Sequence, residues 1–343
     1  MRIGFAYDLP LDHAGDPKVL DSVASEYEDE PTLSWIREEL ARHGDVVGLP
    51  WGREAAGRII DGAVDVVFNI TEGRAGRTRE SLLPAVCEIA GVPYTGSDPL
   101  ALGLALDKEY TKILARSAGI PTPNWLRVCD GRQLDAGLPG DLAFPVIVKP
   151  VTGGSSMGVH QFSRATDAAE LRHAVEWVIH ECEDDALVEQ FIPGRELAAG
   201  VLDGEPELTV PHAELVFPEG GPDTFYSVEW KSRHQKVIRC PADLTADAAG
   251  AMHRYTREIR RLLGARDLGR ADYRLSADGT PYFIEYNPLP GLSPYYSVFP
   301  AQVRAAGEEA GAIIDRLVSL AQARADHHIT SPSMVAARGQ LGA

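Results

Sequence analysis

Two carboxylates and an amide near residue 285 have the types and the spacing of a cation site. Glu285 and Asn287 lie two residues apart at the end of the apolar run that begins at Phe283, so both side chains would point to the same face of a strand. Asp272 precedes them, and the turn residues Ser276–Gly279 predict a hairpin that brings Asp272 beside Glu285. Oxygen ligands of this kind suit Mg²⁺ held between protein carboxylates and substrate phosphates.

For either carboxylate alone, a solvated position on an edge hairpin explains the sequence equally well. The combination favours a site, because Asn is depleted in strands and because Glu285 follows apolar residues rather than a solvent-facing alternation. The sequence therefore predicts that Asp272, Glu285 and Asn287 are metal ligands.

A glycine- and serine-rich loop follows the apolar strand predicted over 144–150. Its tip, residues 153–158, would let backbone N–H groups approach a phosphate, and Lys149 at the strand end could place its ammonium on phosphate oxygens. The order of residues matches neither the P-loop nor the dinucleotide-binding fingerprint. A β-hairpin whose turn needs glycine is the alternative explanation of this loop.

The elements around these segments alternate between strand and helix in the first hundred residues. That alternation predicts a parallel sheet with ligands at the strand ends. The predicted strands there are 2–7, 45–49, 64–70 and 92–96, and the predicted helices are 32–42, capped by Thr32, and 80–90. Residues 218–235 form a long glycine- and charge-rich segment, which predicts a functional lid. A C-terminal helix is expected to pack through Ile313, Ile314, Leu317 and Val318 and to fray beyond Arg324.

Composition limits the class of protein. The chain has 343 residues, 44% hydrophobic and 24% charged, as in globular proteins of two or three packed units. The net charge of −17 argues against general nucleic-acid binding and against a basic membrane-surface patch. Four scattered cysteines and a first apolar run too short for a secretory leader predict a cytoplasmic protein.

Taken in order, several segments resemble the ATP-grasp superfamily and, within it, the D-alanine–D-alanine ligases, from about Asn69 to Pro300. The matching motifs are Pro93-Tyr94-Thr95-Gly96-Ser97, Leu106-Asp107-Lys108 with Lys112, Gly119-Ile120-Pro121-Thr122, Lys149-Pro150 with Gly154–Val159, Val188-Glu189 with Gly194–Leu197, Arg270-Ala271-Asp272, and Glu285-Tyr286-Asn287 with Pro290-Gly291. The resemblance implies an α/β (α+β) ATP-grasp fold. An N-terminal parallel α/β domain would span 1–105, a central subdomain with the glycine-rich loop 106–193, a C-terminal catalytic subdomain 194–323, and a frayed tail 324–343.

The resemblance also implies a role for each group of matching residues. Residues expected to bind ATP are Lys108, Lys149, Gly154, Ser155, Ser156, Glu189, Gln190, Phe191, Ile192 and Glu196. Within this group the two lysines and the loop would hold the phosphates, residues 189–192 the adenine, and Glu196 the ribose. The metal ligands for two Mg²⁺ would be Asp272, Glu285 and Asn287. The catalytic residues would be Ser155, Ser156, Lys231 on the γ-phosphate, and Arg270 with the Gly291 N–H on the oxyanion.

The substrate half departs from the family pattern. The stretch Ala6–Leu11 lacks the family's glutamate motif for the first amino acid, Ser232 stands where the lid tyrosine is expected, and the loop Gly291–Ser297 is one residue longer. An arginine cluster at 74–79 could instead bind a carboxylate-rich substrate, although a solvated basic loop explains it equally well. The expected substrate residues are Tyr7, Arg79, Glu80 and Ser297.

These observations predict an ADP-forming ligase that joins a small-molecule carboxylate to an amine through an acyl phosphate, with substrates other than the standard D-alanine pair. The alternatives left open are an authentic D-alanine–D-alanine ligase, an ATP-binding protein without activity, and a small-molecule kinase. A homodimer is expected, since relatives are often dimers.

Overall fold

The computed structural model describes residues 1–9, 27–74, 76–154, 156–218, 220–232 and 237–330. These residues form three β-sheets that follow one another along the chain, of three, four and five strands. Among the described residues, each helix is either too short or too polar to span a lipid bilayer.

The first sheet is parallel and has the strand order β2-β1-β3. Its elements in chain order are β1 (Arg2–Tyr7), α1 (Glu30–Ala41), β2 (Asp45–Pro50), α2 (Arg53–Ile60), β3 (Val66–Asn69) and α3 (Leu82–Ala90). The predicted parallel pairing is confirmed. Helix α1 begins earlier than predicted, because its N-cap is Asp29 and not Thr32: the Asp29 carboxylate accepts the Thr32 N–H at 3.0 Å.

The second unit contains three helices and an antiparallel sheet in the order β4-β7-β5-β6. Its elements are α4 (Pro99–Leu106), α5 (Lys108–Ser117), β4 (Trp125–Val128), β5 (Val146–Pro150), β6 (Arg164–Ala165), α6 (Ala168–Glu181) and β7 (Ala186–Gln190). Asp107 caps α5 by accepting the N–H groups of Glu109 and Tyr110. Lys108 therefore lies at a fixed helix start, directly beside the glycine-rich loop.

The third unit is an antiparallel sheet in the order β10-β9-β8-β11-β12 with helices around it. Its elements are β8 (Arg195–Leu202), β9 (Ala213–Val216), α7 (Val228–Ser232), β10 (Val237–Arg239), α8 (Ala246–Leu263), β11 (Leu268–Leu275), β12 (Pro281–Asn287), α9 (Val298–Ala305) and α10 (Gly311–Thr330). The segment predicted as a lid thus contains a short helix, α7.

The C-terminal helices pack against the first sheet, so that the first and last elements of the described chain share one core. One buried cluster combines Ile3, Phe5 and Phe68 with Phe299 and Ile313. The predicted packing face of α10 is confirmed, because Ile313, Ile314, Leu317 and Val318 are at most 2% exposed. This shared core fixes the parallel sheet against the hairpin β11–β12 and leaves a cleft between the three units.

Two sequence predictions about elements were wrong. Residues 92–96 contribute only an isolated bridge, Val67 with Tyr94, because the chain turns away after one parallel contact. Helix α10 also continues past Arg324 to Thr330, since the Arg324 guanidinium is held by the buried Asp267 carboxylate at 2.6 and 2.8 Å. Residues 331–343 lie outside the described part of the chain.

Candidate active site

A cavity of about 950 Å³ lies where the three units meet. Side chains from all three sheets line it. The predicted site residues that line it are Glu80, Lys108, Lys149, Gly154, Ser156, Glu189, Gln190, Phe191, Ile192, Glu196, Lys231, Arg270, Asp272, Glu285, Asn287, Gly291 and Ser297. Residues far apart in the sequence are therefore brought to one space, as the motifs required.

The hairpin β11–β12 presents four polar side chains on one face. Asp272 is paired with Glu285, and Arg270 with Asn287, so that all four lie on the same side of the two strands. The Arg270 guanidinium donates two hydrogen bonds of 2.7 Å to the Asp272 carboxylate, and the Asn287 amide donates one of 3.1 Å. The predicted position of Asp272 beside Glu285 is confirmed.

Two carboxylates directly opposite each other repel, so this pair needs cations around it. The Lys108 ammonium lies 3.5 Å from a Glu285 carboxylate oxygen. Burial opposes ionisation of Glu285, but Lys108, Lys149 and Arg270 outweigh it and hold its pKa below the usual value. For Asp272, burial is the larger effect and raises the pKa, although Arg270 acts against it.

The hairpin offers the donor set of a hard divalent cation. Two carboxylates and the amide of Asn287 supply oxygen ligands on one face, and the cavity beside them has room for phosphate oxygens. A structural role alone does not account for two facing carboxylates, since replacing one of them would remove the repulsion. These residues fit Mg²⁺ better than they fit a purely structural ion pair.

Lys149 and Lys112 share one buried carboxylate, that of Glu189. Their ammonium groups lie 2.6 Å from its two oxygens, and Glu189 is 1% exposed. Burial and the charge of Lys149 lower the pKa of Lys112 to about 8, with Glu189 acting in the opposite direction. Glu189 therefore holds both ammonium groups and itself lines the cavity, and its predicted place beside the adenine stays a prediction.

Lys112 is a residue that sequence reasoning did not include in the site. It lies four residues after Lys108, on the same face of α5, and is fully buried. The i, i+4 spacing of two lysines at the start of a helix could have indicated it. Lys108 itself donates to the Gly153 carbonyl oxygen, which anchors the glycine-rich loop at its base.

The glycine-rich loop is held in a conformation that few side chains allow. Ser156 has a φ of +62°, a strained value for a residue with a Cβ atom. Gly158 has a φ of +72°, and a Cβ atom there would lie 2.5 Å from Pro150 and 2.8 Å from the Cys182 sulfur. Ser155, predicted as a phosphate and catalytic residue, lies outside the described residues.

The predicted adenine segment lines the cavity, but most of its N–H groups have partners. The N–H of Gln190 donates to Asn124 at 2.9 Å, and that of Phe191 donates to Pro145 at 3.1 Å. Among the described residues, the N–H of Ile192 has no acceptor. Of these three residues, Ile192 is therefore the one whose main-chain N–H can donate a hydrogen bond to a ligand.

Glu196 and Arg274 tie the lid segment to the hairpin. Arg274 donates to the Glu196 carboxylate at 3.0 Å and to the carbonyl oxygens of Pro222 and Thr224 at 2.9 and 2.8 Å. Glu196 also accepts the Tyr226 N–H at 2.9 Å. Burial raises the pKa of Glu196, with Arg274 opposing. Sequence reasoning did not include Arg274 in the site, although Arg274 lies on the same strand as Arg270, four residues further along.

Glu28 is a third residue that sequence reasoning did not include in the site. Its carboxylate accepts the Leu292 N–H and the Tyr296 O–H, both at 2.9 Å, and lines the cavity. A Cβ atom on Gly291 would lie 2.9 Å from the Ser297 hydroxyl and 3.4 Å from Glu28. Glycine at 291 therefore permits these two groups to lie in the space that a Cβ atom would take.

Two of the four predicted substrate residues do not line the cavity, whereas Glu80 and Ser297 do. The Tyr7 ring packs against Phe5 at 4.9 Å in the core of the first sheet. Arg79 is 7% exposed and donates to the Thr152 carbonyl oxygen at 2.8 Å. The guanidinium of Arg79 thus contacts the glycine-rich loop, and substrate binding by the arginine cluster stays a prediction.

Comparison with known proteins agrees with this geometry. The family described as D-ala D-ala ligase C-terminus matches residues 114–319. A D-alanine–D-alanine ligase of Azoarcus is 35% identical over 244 residues, 71% of this chain and 75% of that protein. A putative D-alanine–D-lactate ligase of Streptomyces coelicolor is 32% identical over 263 residues, 75% of this chain and 72% of that protein.

A solved structure shows the same fold along nearly the whole chain. The D-alanine–D-alanine ligase of Bacillus anthracis in complex with ATP has a TM-score of 0.72 at 22% identity, covering 96% of this chain and 99% of that chain. This similarity confirms the fold class predicted from the sequence.

Proposed function

This chain belongs to the D-alanine–D-alanine ligase family and is an ATP-dependent ligase. We propose that it joins an amino acid or related carboxylate to an amine, and that this pair of substrates is not the standard pair of D-alanines. The arrangement of Arg270, Asp272, Glu285 and Asn287 opposite Lys108 carries the proposal. The three-unit division at 105 and 193 is part of it, since the cavity lies between those units.

The first step is transfer of the γ-phosphoryl group of ATP to the substrate carboxylate. A carboxylate oxygen bonds to the γ-phosphorus, the bond to the β–γ bridging oxygen breaks, and ADP leaves. Catalysis consists of positioning and charge neutralisation. We assign the phosphates to Lys108, Lys149, Lys231 and the N–H groups of the glycine-rich loop, the ribose to Glu196, and the adenine to residues 190–192.

Asp272, Glu285 and Asn287 are the proposed ligands of Mg²⁺. When bound, the cation offsets negative charge on the phosphate oxygens. The residues themselves keep their ligand oxygens on one face, with Lys108 and Arg270 balancing the charge of the carboxylates until the nucleotide arrives.

The second step forms the amide. The amine nitrogen bonds to the acyl carbon, the carbonyl oxygen becomes an oxyanion, and the C–O bond to phosphate then breaks, while the amine releases its proton. Arg270 and the Gly291 N–H are the proposed oxyanion donors. No protein nucleophile is required, because ATP has already activated the carboxylate.

Incubation with ATP, Mg²⁺ and pairs drawn from D- and L-amino acids, hydroxy acids and simple amines tests the proposal. We expect ADP and a product whose mass equals the two substrates minus water, and no ADP release when Mg²⁺ is omitted. A phosphate ester would indicate a kinase instead. A D-alanine dipeptide as the preferred product would refute the altered specificity, and the relatives' names make this the second candidate.

Replacing Arg270 by Ala is expected to lower kcat for the amide about 100- to 1,000-fold, because one oxyanion donor is lost. The Kd for ATP should change by less than about fivefold, since ATP is assigned to other residues. Single-turnover product formation and calorimetric ATP titration measure the two quantities. Arg254→Ala, an exposed change on α8, is the control. Equal losses in ATP affinity and in kcat would contradict the oxyanion role.

We propose that Glu28 presents its carboxylate to the ammonium group of the amino-acid substrate. Replacing it by Gln should raise the KM for that substrate about 10- to 100-fold, the loss of a charged hydrogen bond. The KM for ATP should stay constant. Initial rates at varied substrate measure the effect, with exposed Glu30→Gln as the matched control. An unchanged KM would assign Glu28 to loop structure alone, and Tyr296→Phe, which keeps the carboxylate, tests that outcome separately.

We also propose a cytoplasmic homodimer. The four cysteines are free, in keeping with a reducing compartment. Exposed Ile60, Leu82, Ile89 and Leu100 lie on the adjoining helices α2, α3 and α4 and offer an apolar surface to a second copy. Sedimentation at micromolar concentration should give twice the 37.1 kDa chain mass, and a monomer would exclude the dimer.

A further inference from the structure

Three consecutive residues after the glycine-rich loop contact the lid segment. The Val159 carbonyl oxygen accepts the Val228 N–H at 2.9 Å, and the His160 ring nitrogen Nδ1 lies 3.0 Å from the Glu229 carboxylate. The Gln161 amide donates to the Ser227 hydroxyl at 2.8 Å. Glycine-rich loop and lid are thus joined residue by residue.

The four side chains form a chain of hydrogen bonds, which we call the lid latch: His160, Gln161, Ser227 and Glu229. The Ser227 hydroxyl accepts from Gln161 and donates to Glu229, and the other end of the chain is the contact between Glu229 and His160. Burial opposes ionisation of Glu229, yet the hydrogen bonds from Ser227 and His160 hold its pKa below the usual value. Glu229 is therefore an anionic acceptor.

Packing and burial hold the residues on both sides of the lid latch in place. The His160 ring stacks on Phe162 at 5.0 Å and meets the edge of Trp177 on α6 at 4.6 Å. On the lid side, Ser227 is fully buried, and its carbonyl oxygen accepts the Lys231 N–H at 2.9 Å. Lys231 is therefore one helical turn from the latch, and its position follows from where Ser227 is held.

We propose that His160 and Gln161 are positioning residues that fasten α7 to the glycine-rich loop, so that Lys231 and the loop close over the phosphates as one unit. The inference rests on the proposed function. None of the four residues of the lid latch lines the cavity. The lid latch keeps water out of the cavity between formation of the acyl phosphate and attack by the amine. Water would otherwise hydrolyse the acyl phosphate by attacking its acyl carbon or its phosphorus.

The test compares wild type with the double variant His160→Ala/Gln161→Ala. Wild type should release about one ADP for each amide, whereas the double variant should release at least about fivefold more ADP per amide, with ATP affinity changed less than about threefold. His173→Ala is the matched control, because His173 belongs to the same aromatic cluster through Phe162 but lies on the exposed side of α6. An unchanged ADP-to-amide ratio in the double variant, or the same rise in the control, would overturn the proposal.

Two further measurements keep the inference decidable. Single variants on opposite sides, His160→Ala and Glu229→Gln, should be non-additive when combined, as expected for groups in one network. Amide hydrogen exchange should be followed as a non-hydrolysable ATP analogue is added. In wild type, exchange in residues 156–161 and 227–232 should slow at the same analogue concentration, whereas in Ser227→Ala the two segments should slow at different concentrations. Independent protection of the two segments in wild type would refute the latch, whereas absence of any ligated product from wild type would refute the proposed function alone.

Discussion

Replacing Glu285 by Gln is expected to lower kcat roughly 1,000-fold or more while the protein stays folded. The change keeps size and shape but removes one of two facing carboxylates, and with it the charge that Lys108 and the proposed cation balance. Folding should not suffer, because repulsion with Asp272 is relieved. Product formation at saturating ATP and Mg²⁺ measures the loss, and thermal unfolding verifies the fold.

Asp278→Asn is the matched control, since it changes an exposed carboxylate in the turn of the same hairpin. It should retain wild-type kcat. Asp272→Asn should behave as Glu285→Gln does, with an additional effect on Arg270, which loses its two charged hydrogen bonds. Near wild-type rates from either site variant would contradict the cation assignment.

Replacing Glu189 by Gln should lower the free energy of unfolding by about 3–5 kcal/mol at pH 7. Lys112 is fully buried and Lys149 is 7% exposed, and both direct their ammonium groups to the same carboxylate. The variant leaves two buried cations without their counter-charge. We also expect weaker ATP binding, because Lys149 is no longer held at the cavity wall.

Urea denaturation and calorimetric ATP titration measure the two effects. Glu176→Gln on α6 is the control, since its ion pair with Arg172 is about half exposed at 4.0 Å and such pairs contribute about 0–1 kcal/mol. A loss below about 1 kcal/mol in Glu189→Gln would show that the lysines find other partners and that the cluster is not a unit.

Local sequence determined the parts of the site that depend on a few neighbouring residues. The turn at Ser276–Gly279 fixes the pairing next to it, of Tyr273 with Phe283, and a β-bulge then shifts the register so that Asp272 lies opposite Glu285 and not Ile284. The glycine-rich loop likewise follows its strand directly. Family resemblance in these motifs gave the fold and the reaction class.

Tertiary structure decided which partner each charged side chain takes. Glu189 holds Lys112 and Lys149, Arg79 supports the glycine-rich loop, and Glu28 contacts Leu292 across 264 positions of sequence. Local periodicity carries no information about such pairs, since they form only when separately folded units pack together. The substrate side of the cavity depends almost wholly on such long-range pairs, whereas the hairpin and the loop proposed to bind nucleotide are local motifs. The sequence therefore specified the nucleotide half more fully than the substrate half.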